Sequence, residues 1–144
     1  MSWQIDGKTN GPDLAWPDGK RIAVMVTFDY DAEFLRISHA KSKGTTIGFT
    51  DFSRGQYGPH EGLARCLDML DATGIKSTFF VPGIVGEKYR DTVEEIAARG
   101  HELACHGYMH ESDRGISRQE EIGILEKSES VLESIWGKKP LGHR

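Results

Sequence analysis

Leu63, Leu67 and Leu70 recur at i, i+4 and i+7, and Gly74 follows where a helix would close. This spacing predicts a helix over 61–73 with one apolar face. Lys76 to Val81 then reads as a strand stopped by Pro82-Gly83. Tyr89, Val93, Ile96 and Ala97 mark the inner face of a second helix over 86–99, ended by Gly100. Glu102–Cys105 reads as a short strand. Ser117-Arg118-Gln119-Glu120 has the form of a capping box, in which the serine hydroxyl and the glutamate carboxylate satisfy each other's backbone N–H groups. It predicts a helix over 118–136, with Ile122, Leu125, Leu132 and Ile135 inward and Gly137 at its end. Upstream, Ile22 to Phe28 is nearly continuously apolar and rich in β-branched residues, the pattern of a strand buried on both faces. Pro140 to Arg144 resembles the entry to a further strand. Residues 34–60, broken by Gly44, Gly48, Gly55, Gly58 and Pro59, read as a long irregular segment that shapes a site rather than the fold. Residues 1–20, with Gly7, Gly11, Pro12, Pro17 and Gly19, read as an arm on a body formed by 21–144.

Strands alternating with helices imply parallel strands joined by right-handed crossovers. The fold class is therefore α/β, either an open doubly wound sheet or part of a (β/α) barrel. Composition narrows the function more than the fold. The 144 residues carry 18 Lys plus Arg against 22 Asp plus Glu, a net charge of −4. The absence of a basic block argues against a nucleic-acid or anionic-membrane surface. The longest apolar run, Ile22–Val26, is far short of the roughly 18 residues that span a bilayer. Two cysteines, Cys66 and Cys105, cannot build a disulfide framework and read as reduced thiols. No basic region followed by an apolar stretch opens the chain, so the expected compartment is the cytoplasm.

Functional groups of parallel α/β proteins collect at the C-terminal ends of strands. The first strand runs into Asp29-Tyr30-Asp31, the third into His106-Gly107-Tyr108-Met109-His110, and the start of the fourth carries Arg144. Two carboxylates and two imidazoles suit a divalent ion such as zinc, which in a catalytic site takes about three protein ligands and leaves a position open. His106, His110 and one aspartate would supply three, leaving the other aspartate as a base. Each pair has a plainer explanation: a histidine pair at separation four is a weak signal alone, and aspartates after strands often cap or turn. Both plainer explanations weaken when the pairs fall at the same end of neighbouring strands. Cys105 and Cys66 read as core thiols. His101 reads as a partner for the carbonyls of the preceding helix end, and His39 and His60 as residues bordering the irregular segment.

The motifs Thr27-Phe28-Asp29-Tyr30-Asp31, Lys76-Ser77-Thr78-Phe79-Phe80-Val81-Pro82-Gly83, Arg99 to His110 and Gly142-His143-Arg144 occur in one order. Together they resemble the polysaccharide deacetylase family, carbohydrate esterase family four, over roughly residues 20–144. The resemblance implies a distorted (β/α) barrel of which about the first half is present. It implies Asp29 as catalytic base, Asp31, His106 and His110 as ligands of one divalent ion, most simply zinc, and Arg144 as the residue that holds the base. Tyr30 separates aspartates that are adjacent in the usual motif. That spacing is similar to the branch with cyclic-imide hydrolases, allantoinase-like enzymes and atypical peptidoglycan deacetylases.

Two functions compete on this reading. One is a metal-dependent hydrolase of non-peptide carbon–nitrogen bonds, acting on an N-acetyl group or on a small cyclic imide or ureide; the lack of an export signal favours a small substrate over an extracellular polymer. The other is a non-catalytic metal-binding or oligomerising fragment that lacks the downstream general acid. Open barrel edges predict association, with the missing half or with another copy of the chain.

Overall fold

The computed structural model describes residues 17–20, 22–112 and 115–144. The arm read over 1–20 lies outside the described residues except for a short 3₁₀ turn, Pro17–Gly19. Three parallel strands, β1 (Thr27–Asp29), β2 (Thr78–Val81) and β3 (Glu102–Cys105), lie side by side in the order β1-β2-β3. Thr27 is in register with Thr78, and Thr78 with Glu102. A parallel bridge between Cys105 and His143 continues the sheet beyond β3, fixed by the Cys105 N–H to the Gly142 carbonyl and the Arg144 N–H to the Cys105 carbonyl. The entry to a fourth strand thus sits where the alternation places it.

Among the described residues, six α-helices connect and cover the strands: α1 (Phe34–Ser42), α2 (Phe49–Tyr57), α3 (Leu63–Thr73), α4 (Gly83–Lys88), α5 (Arg90–Ala98) and α6 (Arg118–Trp136). The apolar face of α3 is buried as its spacing predicts, and Gly74 closes it in the left-handed conformation. Helix α6 opens on the Ser117–Glu120 capping box, with both reciprocal bonds made. Leu67, Leu70, Phe79, Val81, Val93, Ile96, Leu103 and Leu132 form one core between sheet and helices. Burying such a side chain contributes roughly 1.5–3 kcal/mol, so these eight residues anchor the scaffold that carries the strand ends.

Three expectations are corrected. The apolar run from Ile22 is not a doubly buried strand: β1 begins only at Thr27, and Ile22, Val24 and Met25 are 74%, 78% and 88% exposed. The reason is register. β2 begins at Thr78, after the turn that follows α3, so residues 22–25 have no strand beside them. The helix expected over 86–99 is two, because the backbone at Tyr89 leaves the helical region. Residues 34–60 are not an irregular segment: α1, α2 and a π-helical turn, Gly58–Gly62, occupy most of them. Its glycines serve helix ends and packing. Gly48 is the N-cap of α2, and Gly55 lies so close to Glu33 that a Cβ there would collide with the Glu33 backbone.

Candidate active site

Strand alternation explains the Asp-Tyr-Asp spacing. Side chains two apart share a face of a strand, so Thr27, Asp29 and Asp31 face one way and Tyr30 the other. Tyr30 is buried in the core, its hydroxyl 2.8 Å from Thr92 Oγ1 of α5, and burial pushes its pKa up to about 12. The Tyr30 N–H donates to the Phe80 carbonyl at 2.8 Å and so ties the end of β1 to β2. A core anchor between two aspartates fixes both of them at the sheet's C-terminal edge.

Asp29 is half-exposed. Its Oδ1 accepts from the Arg144 guanidinium at 2.8 Å, and the same guanidinium donates to Thr27 Oγ1 at 3.1 Å while stacking over the Phe80 ring at 4.1 Å. The arginine is therefore held at three points, and Asp29 is held by the arginine. Asp31 is more enclosed. Its Oδ1 is 3.6 Å from His106 Nε2 and its Oδ2 is 3.8 Å from His110 Nε2. Burial raises the Asp31 pKa, and the two imidazoles oppose that shift.

The histidines reach Asp31 through an unusual turn. His106 follows β3 directly. Gly107 has φ +68°, and His110 has φ +59°, a conformation that costs a residue with a side chain roughly 1–2 kcal/mol. Two groups hold that turn. The Glu111 carboxylate accepts from the Tyr108 N–H at 2.8 Å, occupying space that a Cβ on Gly107 would need. The Ser38 hydroxyl of α1 donates to the His110 carbonyl at 2.6 Å. A third contact fixes a tautomer. His106 Nδ1 lies 2.6 Å from the Arg144 carbonyl, which only accepts, so Nδ1 donates to it and the ring is held with Nε2 turned to Asp31.

Donor chemistry and geometry together fit a cation. Three acceptor atoms from Asp31, His106 and His110 lie within 4.8 Å of one another. Asp31 Oδ1 is buried without a hydrogen-bond partner. Ligands at about 2.0–2.1 Å from a tetrahedral zinc stand roughly 3.4 Å apart, close to the 3.6 and 3.8 Å separations from Asp31.

The five residues singled out from sequence, Asp29, Asp31, His106, His110 and Arg144, thus share one end of the sheet. His39 stands beside them, its ring edge-on to His110 at a centroid distance of 6.4 Å. His60 instead packs against Tyr89, and the buried His101 side chain accepts from the Ser77 N–H at 3.3 Å rather than meeting helix-end carbonyls. Cys105 is buried and Cys66 is half-buried. Ser38, Glu111 and Thr27 were not among the sequence candidates. Thr27 could have been found from its place two residues before Asp29; nothing local marks Ser38, whose partner lies 72 residues away.

A model of the polysaccharide deacetylase family matches residues 18–144. The chain belongs to the polysaccharide deacetylase family. It is 32% identical over 134 residues to the peptidoglycan deacetylase-like protein FGM2 of Gibberella zeae, covering 91% of this chain and 39% of that one. A Mycobacterium smegmatis structure classed with the polysaccharide deacetylases superposes with a TM-score of 0.82 at 38% identity, over 94% of this chain and 47% of that one. The structure of Puue allantoinase shares the fold, with a TM-score of 0.79 at 22% identity, over 94% and 50%. The chain therefore spans half or less of the length of these relatives, and its α/β architecture is that of part of the family's (β/α) barrel. Among the described residues no helix is long and apolar enough to cross a membrane.

Proposed function

We propose that this chain carries the base and metal-binding part of the active site of a hydrolase that cleaves a non-peptide carbon–nitrogen bond, with an N-acetyl group on a sugar as its first substrate class. The observation that supports this most is the convergence of two imidazole Nε2 atoms on the Asp31 carboxylate, whose Oδ1 has no hydrogen-bond partner, across less than 4 Å, beside a second carboxylate clamped by a guanidinium. Relatives named as peptidoglycan deacetylase-like favour the acetamido group over a cyclic imide or ureide.

Asp31, His106 and His110 would hold the ion, zinc by its donor set. A bound zinc supplies Lewis acidity toward an acyl oxygen and makes water acidic near neutral pH. The protein's own residues do the rest. Asp29 takes the proton of the attacking water as the acyl carbon becomes tetrahedral. Arg144 keeps Asp29 aimed, and its backbone carbonyl keeps Nε2 of His106 pointed inward. Phe80, stacked under the guanidinium, holds its plane toward Asp29. We also propose that the exposed flank of residues 22–25 is covered by further chain or by another copy of this one.

Elemental analysis and an acetate-release assay on N-acetylglucosamine oligomers test the reading. One divalent ion per chain is expected, lost in H106A, whereas D29N keeps the ion and loses about 10²–10⁴ in turnover. A folded H106A with unchanged metal content would overturn the ligand assignment. A D29N variant with more than about half of the original turnover would overturn the base.

A further inference from the structure

The segment from Phe34 to Tyr57 holds four basic residues, Arg36, Lys41, Lys43 and Arg54, and one acidic residue, Asp51, in a chain whose net charge is −4. Folding gathers part of that charge around a hollow. Arg36, His39 and Lys43 follow at i, i+3 and i+7 along α1 and its C-cap, one face of a helix. With Gly48 and Asp51 of α2 they wall a polar cavity of about 290 Å³. Asp51 is already matched: Arg36 stands 3.2 Å and Arg54 3.9 Å from its Oδ1. Lys43 has no ion-pair partner among the described residues, so the cavity keeps an excess of positive charge. It also adjoins the candidate active site. His39 lines its wall and stands edge-on to His110, so a group in the cavity lies one side chain away from the Asp31–His106–His110 cluster.

We propose that this cavity is a subsite for a carboxylate carried by the substrate, paired with Lys43 and Arg36 while the amide lies at the strand ends. The proposal rests on the hydrolase reading above and adds to it the substrate's charge. A divalent cation is excluded here by the surrounding charge. A neutral sugar face gains little from an unpaired ammonium, whereas a carboxylate accepts charge-assisted hydrogen bonds from both cations. The volume admits a group the size of a lactyl or carboxymethyl substituent. The acid would anchor one side of the sugar in the cavity and so orient its acetamido group toward Asp29.

Calorimetric titration of the zinc-loaded protein against N-acetylglucosamine and N-acetylmuramic acid tests this. The two share the acetamido group and differ in a lactyl carboxylate. The acid is expected to bind about tenfold more tightly. That advantage should shrink as salt rises from about 0.05 M toward 0.5 M, approach parity in K43Q and return in K43R. Equal binding of the two sugars, a preference that K43Q leaves intact, or no binding of the acid would each overturn the subsite. Metal content measured on the same samples separates the two ideas: a protein that holds its ion without preferring the acid loses only the subsite, and one that holds no ion loses the hydrolase reading as well.

Discussion

Two carboxylates lie two residues apart, one on each side of Ala32, and the molecule treats them in opposite ways. Glu33 is fully buried and fully partnered: the Lys88 ammonium pairs with Oε1, and the Tyr89 hydroxyl stands 2.9 Å from Oε2. Phe34, Phe52 and Tyr89 surround the ammonium at 5.1–5.8 Å from their ring centres. Asp31 is enclosed too, yet two imidazole Nε2 atoms face it only at 3.6 and 3.8 Å, and its Oδ1 is unpartnered. Between them Ala32 takes φ +51°, which swings one carboxylate to the strand ends and the other into the α1–α4 junction. A buried charge that has its partners is a structural joint. An enclosed carboxylate oxygen with no hydrogen-bond partner is the one the proposed ion would satisfy.

Exchanging the two roles should break this contrast. D31N is expected to lower zinc affinity at least about 100-fold, because removing a direct ligand exceeds the 10–100-fold cost of losing an outer partner. The same variant should not lose thermal stability without metal, since an amide N–H₂ can donate to an imidazole where a carboxylate cannot. Equilibrium dialysis and a melting curve read both effects, and a D31N protein that binds zinc normally or melts early would erase the distinction. E33A should do the reverse. It leaves a void and strands the Tyr89 hydroxyl, for about 2–4 kcal/mol of lost stability in urea, while zinc affinity per folded molecule falls far less than in D31N.

These two neighbours also show what the sequence can carry. Asp29, Asp31, His106 and His110 are legible because strand ends are legible: an apolar run followed by a polar group gives position without any knowledge of contacts. The α3 stripe and the Ser117 box are legible because their partners lie within four residues. Glu33 is illegible because Lys88 and Tyr89 are 55 and 56 residues away. Helices α1 and α2 were hidden for the same reason. Their glycines look like breakers, and only the packing of Gly55 on Glu33 shows that one of them permits a close helix contact. The run from Ile22 misled in the other direction: its pattern states that it is apolar but not that β2 starts too late to pair with it.

Smaller effects sharpen the comparison. S38A removes the hydroxyl that holds the His110 carbonyl and should weaken zinc binding several-fold, toward the lower end of the range for outer partners, with little change in melting temperature. An unchanged affinity would mean that the left-handed turn holds itself. The smallest effect involves His101. Burial lowers its pKa below 6.5, and the nearby Lys76 adds to the shift. The unfolded chain therefore binds more protons than the folded one as pH falls through 6.5, so this residue's contribution to stability is complete above that value and declines below it. H101Q should flatten that part of the pH–stability profile, and an identical slope in the variant would remove His101 as its source.

Arg144 joins the two halves of the site by different parts of itself: its guanidinium grips Asp29, and its main-chain carbonyl orients His106. Substitution can reach only the first of these. A lineage that changed this side chain would slacken the base while the imidazole stayed oriented, since every amino acid supplies the carbonyl. Under the proposed roles, loss of turnover and loss of the ion site are therefore separable events in descent, and the first is the shorter mutational step. A descendant that retains the pocket without the chemistry lies one codon away, free to be recruited as a binding protein.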